Sequence, residues 1–324
     1  MMIPLNTTDE RYLVSLVQDR TGLVLNKHQV EELQHLVVEA MATHHLGELK
    51  EFLQVFPFTH PLWQGFIQRL TIGETYFFRN AAHFNALRHE ILMPLIAERR
   101  KSGFRQLRLW SAGCATGEEP YSLAMLLREL IHDIEDWAIT LLATDINAGF
   151  LDAAREGLYG QRAFRGETPS WIQPRWFRLE SGKYRLNQDV RQMVMFRPLN
   201  LVTDAYPSAE SFTANMDVIL CRNVTIYFNE ATTRHVTDRF YRALNDKGWL
   251  VVGHSEPNSA IYGAFSSRNL RNTVVYQKVA QPPNGQKPLA SPPLAKPVTR
   301  APHHASPCTP GRQSVAQKFA AMLY

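Results

Sequence analysis

Two adjacent carboxylates, Glu118 and Glu119, close the small-residue loop Ser111-Ala112-Gly113-Cys114-Ala115-Thr116-Gly117 and lead into Pro120-Tyr121-Ser122. Acidic groups there repel a phosphate and attract a cation such as an ammonium or a sulfonium. The loop also lacks the G-x-G-x-x-G spacing that seats a pyrophosphate on a helix N-terminus. Gly113 and Gly117 allow backbone to approach a flat adenosine-type ligand, although glycines serve a bare strand-to-helix turn equally well.

Three further stretches carry chemistry. Asp145 ends the apolar run Ile139–Thr144, where an acid at the carboxyl edge of a sheet can accept both hydroxyls of a ribose or, as readily, cap the next helix. Val218–Cys221 runs straight into Arg222-Asn223-Val224-Thr225-Ile226-Tyr227-Phe228, a buried strand meeting polar and aromatic groups. Thr71–Arg79 combines hydroxyls, three aromatics and an arginine, a composition that also suits interdomain packing. The pairs His44-His45 and His303-His304 have no spaced thiol or carboxylate partners, so no metal site is expected. Cys114, Cys221 and Cys308 match neither a zinc site nor a disulfide framework and read as free thiols.

The elements that position these residues follow from hydrophobic periodicity. Residues 1–70 carry apolar positions at helical spacing, Leu33, Leu36, Val37, Ala40 and Met41 among them, which predicts a small helical domain. From 71 to 279 short Leu/Ile/Val-rich runs alternate with helical stretches: Leu107–Ser111, a helix from Glu119, Ile139–Thr144, a helix near Ala148–Arg155, Val218–Cys221, a helix from Glu230, and Leu250–Val252. Such alternation predicts an α/β fold with a mostly parallel sheet covered on both faces. The rhythm breaks at about 157–198, where Trp171, Trp176 and the turn Ser181-Gly182-Lys183 suggest a small antiparallel insertion. Residues 280–324 form a Pro-rich tail expected to be disordered, with a possible short helix over Ser314–Tyr324.

Length and composition set the class. With 324 residues, 45% of them hydrophobic, the chain is long enough for a sizeable core. No apolar run reaches the roughly 18 residues of a membrane span, and no signal peptide opens the chain, so a cytoplasmic protein without membrane insertion is expected. A net charge of +5, with much of the basic excess in the tail, argues against nucleic acid as a partner.

Taken together, GETYFFR, SAGCATGEEPYS, ATDI, FRPLNL and CRNVTIYF, in this order, resemble the chemotaxis-receptor (CheR-type) protein-glutamate O-methyltransferase family over about residues 10–278. The resemblance implies a helical N-terminal domain followed by a Rossmann-like S-adenosylmethionine-binding domain carrying a small β-subdomain. It implies S-adenosyl-L-methionine as cofactor and glutamate side chains of the cytoplasmic helical region of a methyl-accepting receptor as acceptor. By position it implies that Gly73, Thr75, Arg79, Glu118, Asp145, Asn200, Leu201, Arg222 and Asn223 bind the cofactor, Thr75 and Arg79 at its methionyl part and Glu118 near its amino group. Asn200 and Leu201 would border the adenine, and Tyr227, with Arg79, would shape methyl transfer.

Three departures stand out. Gly73 takes the place of an asparagine common in the family, the helix over residues 30–45 lacks the basic character of receptor-reading members, and only Glu180-Ser181-Gly182-Lys183 spans the insertion's hairpin turn. No dependence on a receptor tether is therefore expected, and the chain is expected to act as a monomer. The competing readings are a catalytically weak cofactor-binding regulator, a methyltransferase with another acceptor, and a nicotinamide oxidoreductase. The acidic loop and the missing glycine fingerprint oppose the last.

Overall fold

Four short helices open the chain: α1 (Thr7–Thr21), α2 (Lys27–Thr43), α3 (Leu49–Val55) and α4 (Leu62–Leu70). The computed structural model describes residues 5–279. Asn6 and Asn26 cap the first two helices, their side-chain oxygens accepting first-turn backbone N–H groups that a helix start leaves orphaned. Leu13, Val17, Leu33, Val37 and Phe52 meet Trp63 in a core that these four helices hold among themselves. Trp63 is fully buried, stacks on Phe58 at 4.6 Å between ring centroids, and donates its indole N–H to Phe56 O at 3.1 Å.

Beyond the connecting stretch 71–80, α5 (Ala81–Ala86) passes through a π-helical turn at Leu87–Leu92 into α6 (Met93–Ser102), which Gly103 ends in the left-handed region. There follow β1 (Gln106–Ala112), α7 (Glu118–Leu130), β2 (Ala138–Asp145) and α8 (Ala148–Glu156). Next come β3 (Leu158–Tyr159), α9 (Ile172–Trp176), β4 (Phe177–Glu180), β5 (Lys183–Leu186), α10 (Gln188–Arg191) and β6 (Val194–Pro198). The described chain ends with β7 (Met216–Cys221), α11 (Glu230–Ala243), β8 (Leu244–Val252), β9 (Ser266–Leu270) and β10 (Thr273–Gln277).

The large sheet runs β6-β2-β1-β7-β8-β10-β9, parallel from β6 to β8 and antiparallel where β10 joins β8 and β9. The fold is thus α/β and Rossmann-like, as expected. Alternation along each strand splits the core into two layers. Leu107, Leu109, Val218 and Leu220 face one layer, while Trp110, Ala112, Ile219 and Cys221 face the other. Strands buried on both faces read as continuous apolar runs, which is why periodicity located them.

One boundary differs from expectation. The small antiparallel sheet consists of β3, β5 and β4 alone, whereas Val194–Pro198, placed in the insertion on sequence grounds, is β6 and pairs in parallel with β2 from Leu141↔Val194 to Asp145↔Pro198. A five-residue apolar segment has no periodic signature telling an edge strand of the large sheet from a hairpin arm. The expected disordered tail, the helix over Ser314–Tyr324, Cys308 and His303-His304 lie outside the described residues. Among the described residues no helix is long and apolar enough to cross a membrane.

Replacing Trp63 by alanine removes the largest side chain of the helical core and is expected to lower the unfolding free energy by about 3–5 kcal/mol. Urea denaturation followed by far-ultraviolet circular dichroism reads this. A loss below about 1 kcal/mol would show that the helical core does not depend on it.

Candidate active site

Strand order reverses between β1 and β7, because β1 continues to β2 on one side and the chain later returns as β7 on the other. Ligand crevices in open α/β sheets form at the carboxyl ends of strands at such a switch point. Here a cleft of about 1040 Å³, its mouth included, opens over the ends of β1, β2 and β7. Thr75, Arg79, Asp145, Asn200, Leu201, Arg222, Asn223 and Tyr227 all line it, brought together from four segments of the chain.

Two expected residues do not line it. Glu118 is buried and accepts the Thr116 hydroxyl at 2.7 Å, whereas its neighbour Glu119 faces the cleft. Consecutive residues in a helix's first turn point about 100° apart, so only one of the pair can face the crevice. Glu119 accepts the Ser111 hydroxyl at 2.7 Å on one oxygen and the Arg222 guanidinium at 3.0 Å on the other. Burial pushes the Glu118 carboxyl above its ordinary range. Of the two adjacent acids, Glu119 and not Glu118 is the one that faces the cleft.

Gly73 is the second correction. A Cβ built there would stand 2.6 Å from the Phe150 ring, so the ring of Phe150, which lines the cleft, occupies the room that an asparagine at 73 would need. A Cβ on Gly117 would likewise collide with Ala154 at 2.8 Å, so that glycine serves packing. Gly113 does line the cleft, with φ +79° and Val224 where its Cβ would go.

Asp145 is held, not free. Its Oδ2 accepts the Ala115 backbone N–H and its Oδ1 that of Asn147, both at 2.9 Å, while Asn147 rather than Asp145 caps α8. Burial raises its pKa against these hydrogen bonds. A carboxylate oxygen has two acceptor sites, so each can still take a hydroxyl. Asn200 is similarly engaged, its amide donating to Arg20 O at 2.7 Å and its side-chain oxygen accepting Val202 N at 2.9 Å.

The segment Arg222–Tyr227 is organised by a residue that sequence reading did not single out. Glu256 is buried and accepts the backbone N–H groups of Asn223 (2.9 Å), Val224 (3.0 Å) and Ile226 (3.2 Å) and the Thr225 hydroxyl (2.8 Å). Its only sequence signal is an acid following Gly253-His254-Ser255 at the end of an apolar strand. Tyr227 is half-buried, and burial raises its phenol while the nearby Arg79 opposes. Arg79 donates to Glu74 O at 2.6 Å, and among the described residues no carboxylate pairs with it. Cys114 also lines the cleft, but burial and the neighbouring Asp145 and Glu119 push its thiol far up, so it is no thiolate. Cys114 and Cys221 are both free and buried.

The donor set fits a cationic adenosine-type ligand. Two acids, Glu119 and Asp145, stand among apolar walls that include Ile146, Phe150, Leu199 and Leu201, and the buried Nε of Arg222 lacks a partner. The model of the CheR methyltransferase, SAM binding domain, matches residues 73–274. The Escherichia coli chemotaxis protein methyltransferase is 34% identical over 275 residues, covering 82% of this chain and 89% of that protein. Chemotaxis protein methyltransferase 2 of Vibrio cholerae is 37% identical over 216 residues, 66% of this chain and 73% of the relative. The Borreliella burgdorferi protein of the same description is 36% identical over 192 residues, 59% of this chain and 66% of the relative.

His83 lies buried beside Arg222, and burial first, then the charges of Arg222 and His254, pushes its pKa down to about 3. Below about pH 6.5 the unfolded chain binds a proton that the folded chain refuses, so this stabilisation is complete above pH 6.5 and is lost as pH falls toward 3, at about 1.4 kcal/mol per pH unit. Between about pH 6.5 and 5 the parent should lose about 2 kcal/mol more than His83→Gln in urea unfolding. Equal slopes would show that His83 is charged in the fold.

Proposed function

The chain belongs to the CheR methyltransferase family and is an S-adenosylmethionine-dependent methyltransferase, and from this premise we propose that it esterifies glutamate side chains in the cytoplasmic helical region of a methyl-accepting chemotaxis receptor. The observation that carries this reading is the arrangement of the cleft. Glu119 in the first turn of α7 and Asp145 at the end of β2 line it, while Arg79 and Tyr227 face the same space from the connecting stretch and from the loop after β7.

The bound cofactor supplies an electrophilic methyl group on a sulfonium. Asp145 offers acceptor sites to the ribose, Glu119 to the ammonium, and Ile146, Leu199 and Leu201 an apolar wall to the adenine. An acceptor glutamate has a reference pKa of about 4.3 and is already a carboxylate at neutral pH, so the reaction needs no general base. That agrees with a cleft whose thiol is held protonated, with His83, beside the cleft-lining Arg222, held neutral.

What remains for the protein is alignment and exclusion of water. Arg79 carries an unneutralised guanidinium into the cleft and can seat one carboxylate oxygen of the acceptor. Tyr227, its phenol raised by burial, stays protonated and can donate to the same group. Holding two reactants in line removes roughly 7–11 kcal/mol from a bimolecular barrier.

Transfer of a labelled methyl group to membranes carrying candidate receptors, followed by mild alkali, tests the acceptor: release of label as methanol is the expected result, and an alkali-stable product would overturn the glutamate ester. Tyr227→Phe should lower kcat about 10- to 100-fold, the worth of a hydrogen bond to a charged group. Calorimetry with S-adenosylhomocysteine separates the two acids. Glu119→Gln should weaken binding about 10- to 100-fold and Glu118→Gln less than about threefold, and the reverse ranking would restore Glu118 to the site.

A further inference from the structure

One wall of the cleft lies outside the part of the chain that the family model matches. Thr21, Leu23, Gln29 and Leu70, all from the helical domain, line it, whereas the match begins at residue 73. The helical domain thus contributes surface to the site itself.

The contact is made by the turn between α1 and α2. Gly22 ends α1 at φ +80°, and a Cβ there would stand 2.9 Å from Val202 and 3.0 Å from the Phe228 ring. Leu23 forms an antiparallel bridge with Phe228, and the Val24 N–H donates to Tyr227 O at 2.8 Å. On the opposite flank Asn200 donates to Arg20 O at 2.7 Å. The turn is therefore gripped by both cleft loops, 200–202 and 227–228. The Val24 side chain is 49% exposed, so main-chain hydrogen bonding and fit at Gly22 hold the turn, rather than burial of that side chain.

Resting on the methyl-transfer reading above, we propose that the α1–α2 turn is a positioning element of the reaction, holding Tyr227 in register through the Val24 N–H. Tyr227 ends a single 3-10 turn, Thr225–Tyr227, that Glu256 braces from one end through backbone N–H groups. The Val24 contact fixes the other end, at the carbonyl of Tyr227 itself. A displacement of about 1 Å at a reacting group costs on the order of 100-fold in rate, so one main-chain contact at this place is enough to matter.

Val24→Pro in the full chain removes that N–H alone, and the extended Leu23 before it tolerates a following proline. The expected result is a kcat at least about tenfold lower with S-adenosylhomocysteine affinity within about threefold. In a Tyr227→Phe background the same change should cost less than about threefold, since residues acting through one another are non-additive. A readout independent of any acceptor is the fluorine resonance of Tyr227 in 3-fluorotyrosine-labelled protein, identified by its absence in Tyr227→Phe. This resonance should move in Val24→Pro. An unmoved resonance, or equal losses in both backgrounds, overturns the proposal, while a parent that binds the cofactor product yet esterifies no receptor faults only the acceptor assignment. Should Val24→Pro fail to fold, Gly22→Ala, which presses on Val202 and Phe228 while keeping the N–H, carries the same expectations.

Discussion

The site depends on one buried ion pair. Arg222, at the end of β7 and 3% exposed in its side chain, meets Glu119 of α7 at 3.0 Å and donates its other terminal nitrogen to the carbonyl of Arg79 in the connecting stretch. One planar guanidinium thereby joins three segments that reach the cleft from different parts of the chain. Its worth is not mainly stability, because the cost of drying two charges offsets much of their attraction. Orientation is what it supplies: removing either partner would strand the other charge and free the loops.

Three acids divide the remaining work according to what donates to them. Asp145 holds the loop after β1 by accepting Ala115 N–H and the start of α8 by accepting Asn147 N–H. Glu256 gathers the backbone N–H groups of the loop after β7. Glu119, paired with a cation and a hydroxyl, faces the cleft from the first turn of α7. Backbone N–H groups are rigid donors, so Asp145 and Glu256 hold in place the loops they accept from, while each Asp145 oxygen keeps a second acceptor site for a ligand.

Local exchanges of volume complete the cleft. Phe150 fills the space above Gly73, and Val224 fills the space above Gly113. A wall that an asparagine side chain would have made polar is thus made by an aromatic ring. The helical domain adds Leu23 and Leu70, so the crevice is closed by apolar surface from both sides of the connecting stretch. Apolar walls of this kind, once a ligand fills the space between them, strengthen the charge interactions there.

The sequence by itself determined the class of fold and, through the family resemblance, most but not all of the residues it placed at the cleft. Leu107–Ser111, Ile139–Thr144 and Val218–Cys221 were legible as strands because burial on both faces leaves unbroken apolar runs, and a parallel sheet brings the residues after each run to one edge. Eight residues expected at the site on the strength of the family resemblance do line it. Only the tertiary structure decided between Glu118 and Glu119, since neighbours in one helical turn differ in direction and not in type. It alone revealed Phe150 over Gly73, Glu256 beneath the loop of Tyr227, β6 in the large sheet, and Val24 on the Tyr227 carbonyl. Each of these is a contact between residues far apart in the chain, set by packing, and no local pattern encodes it.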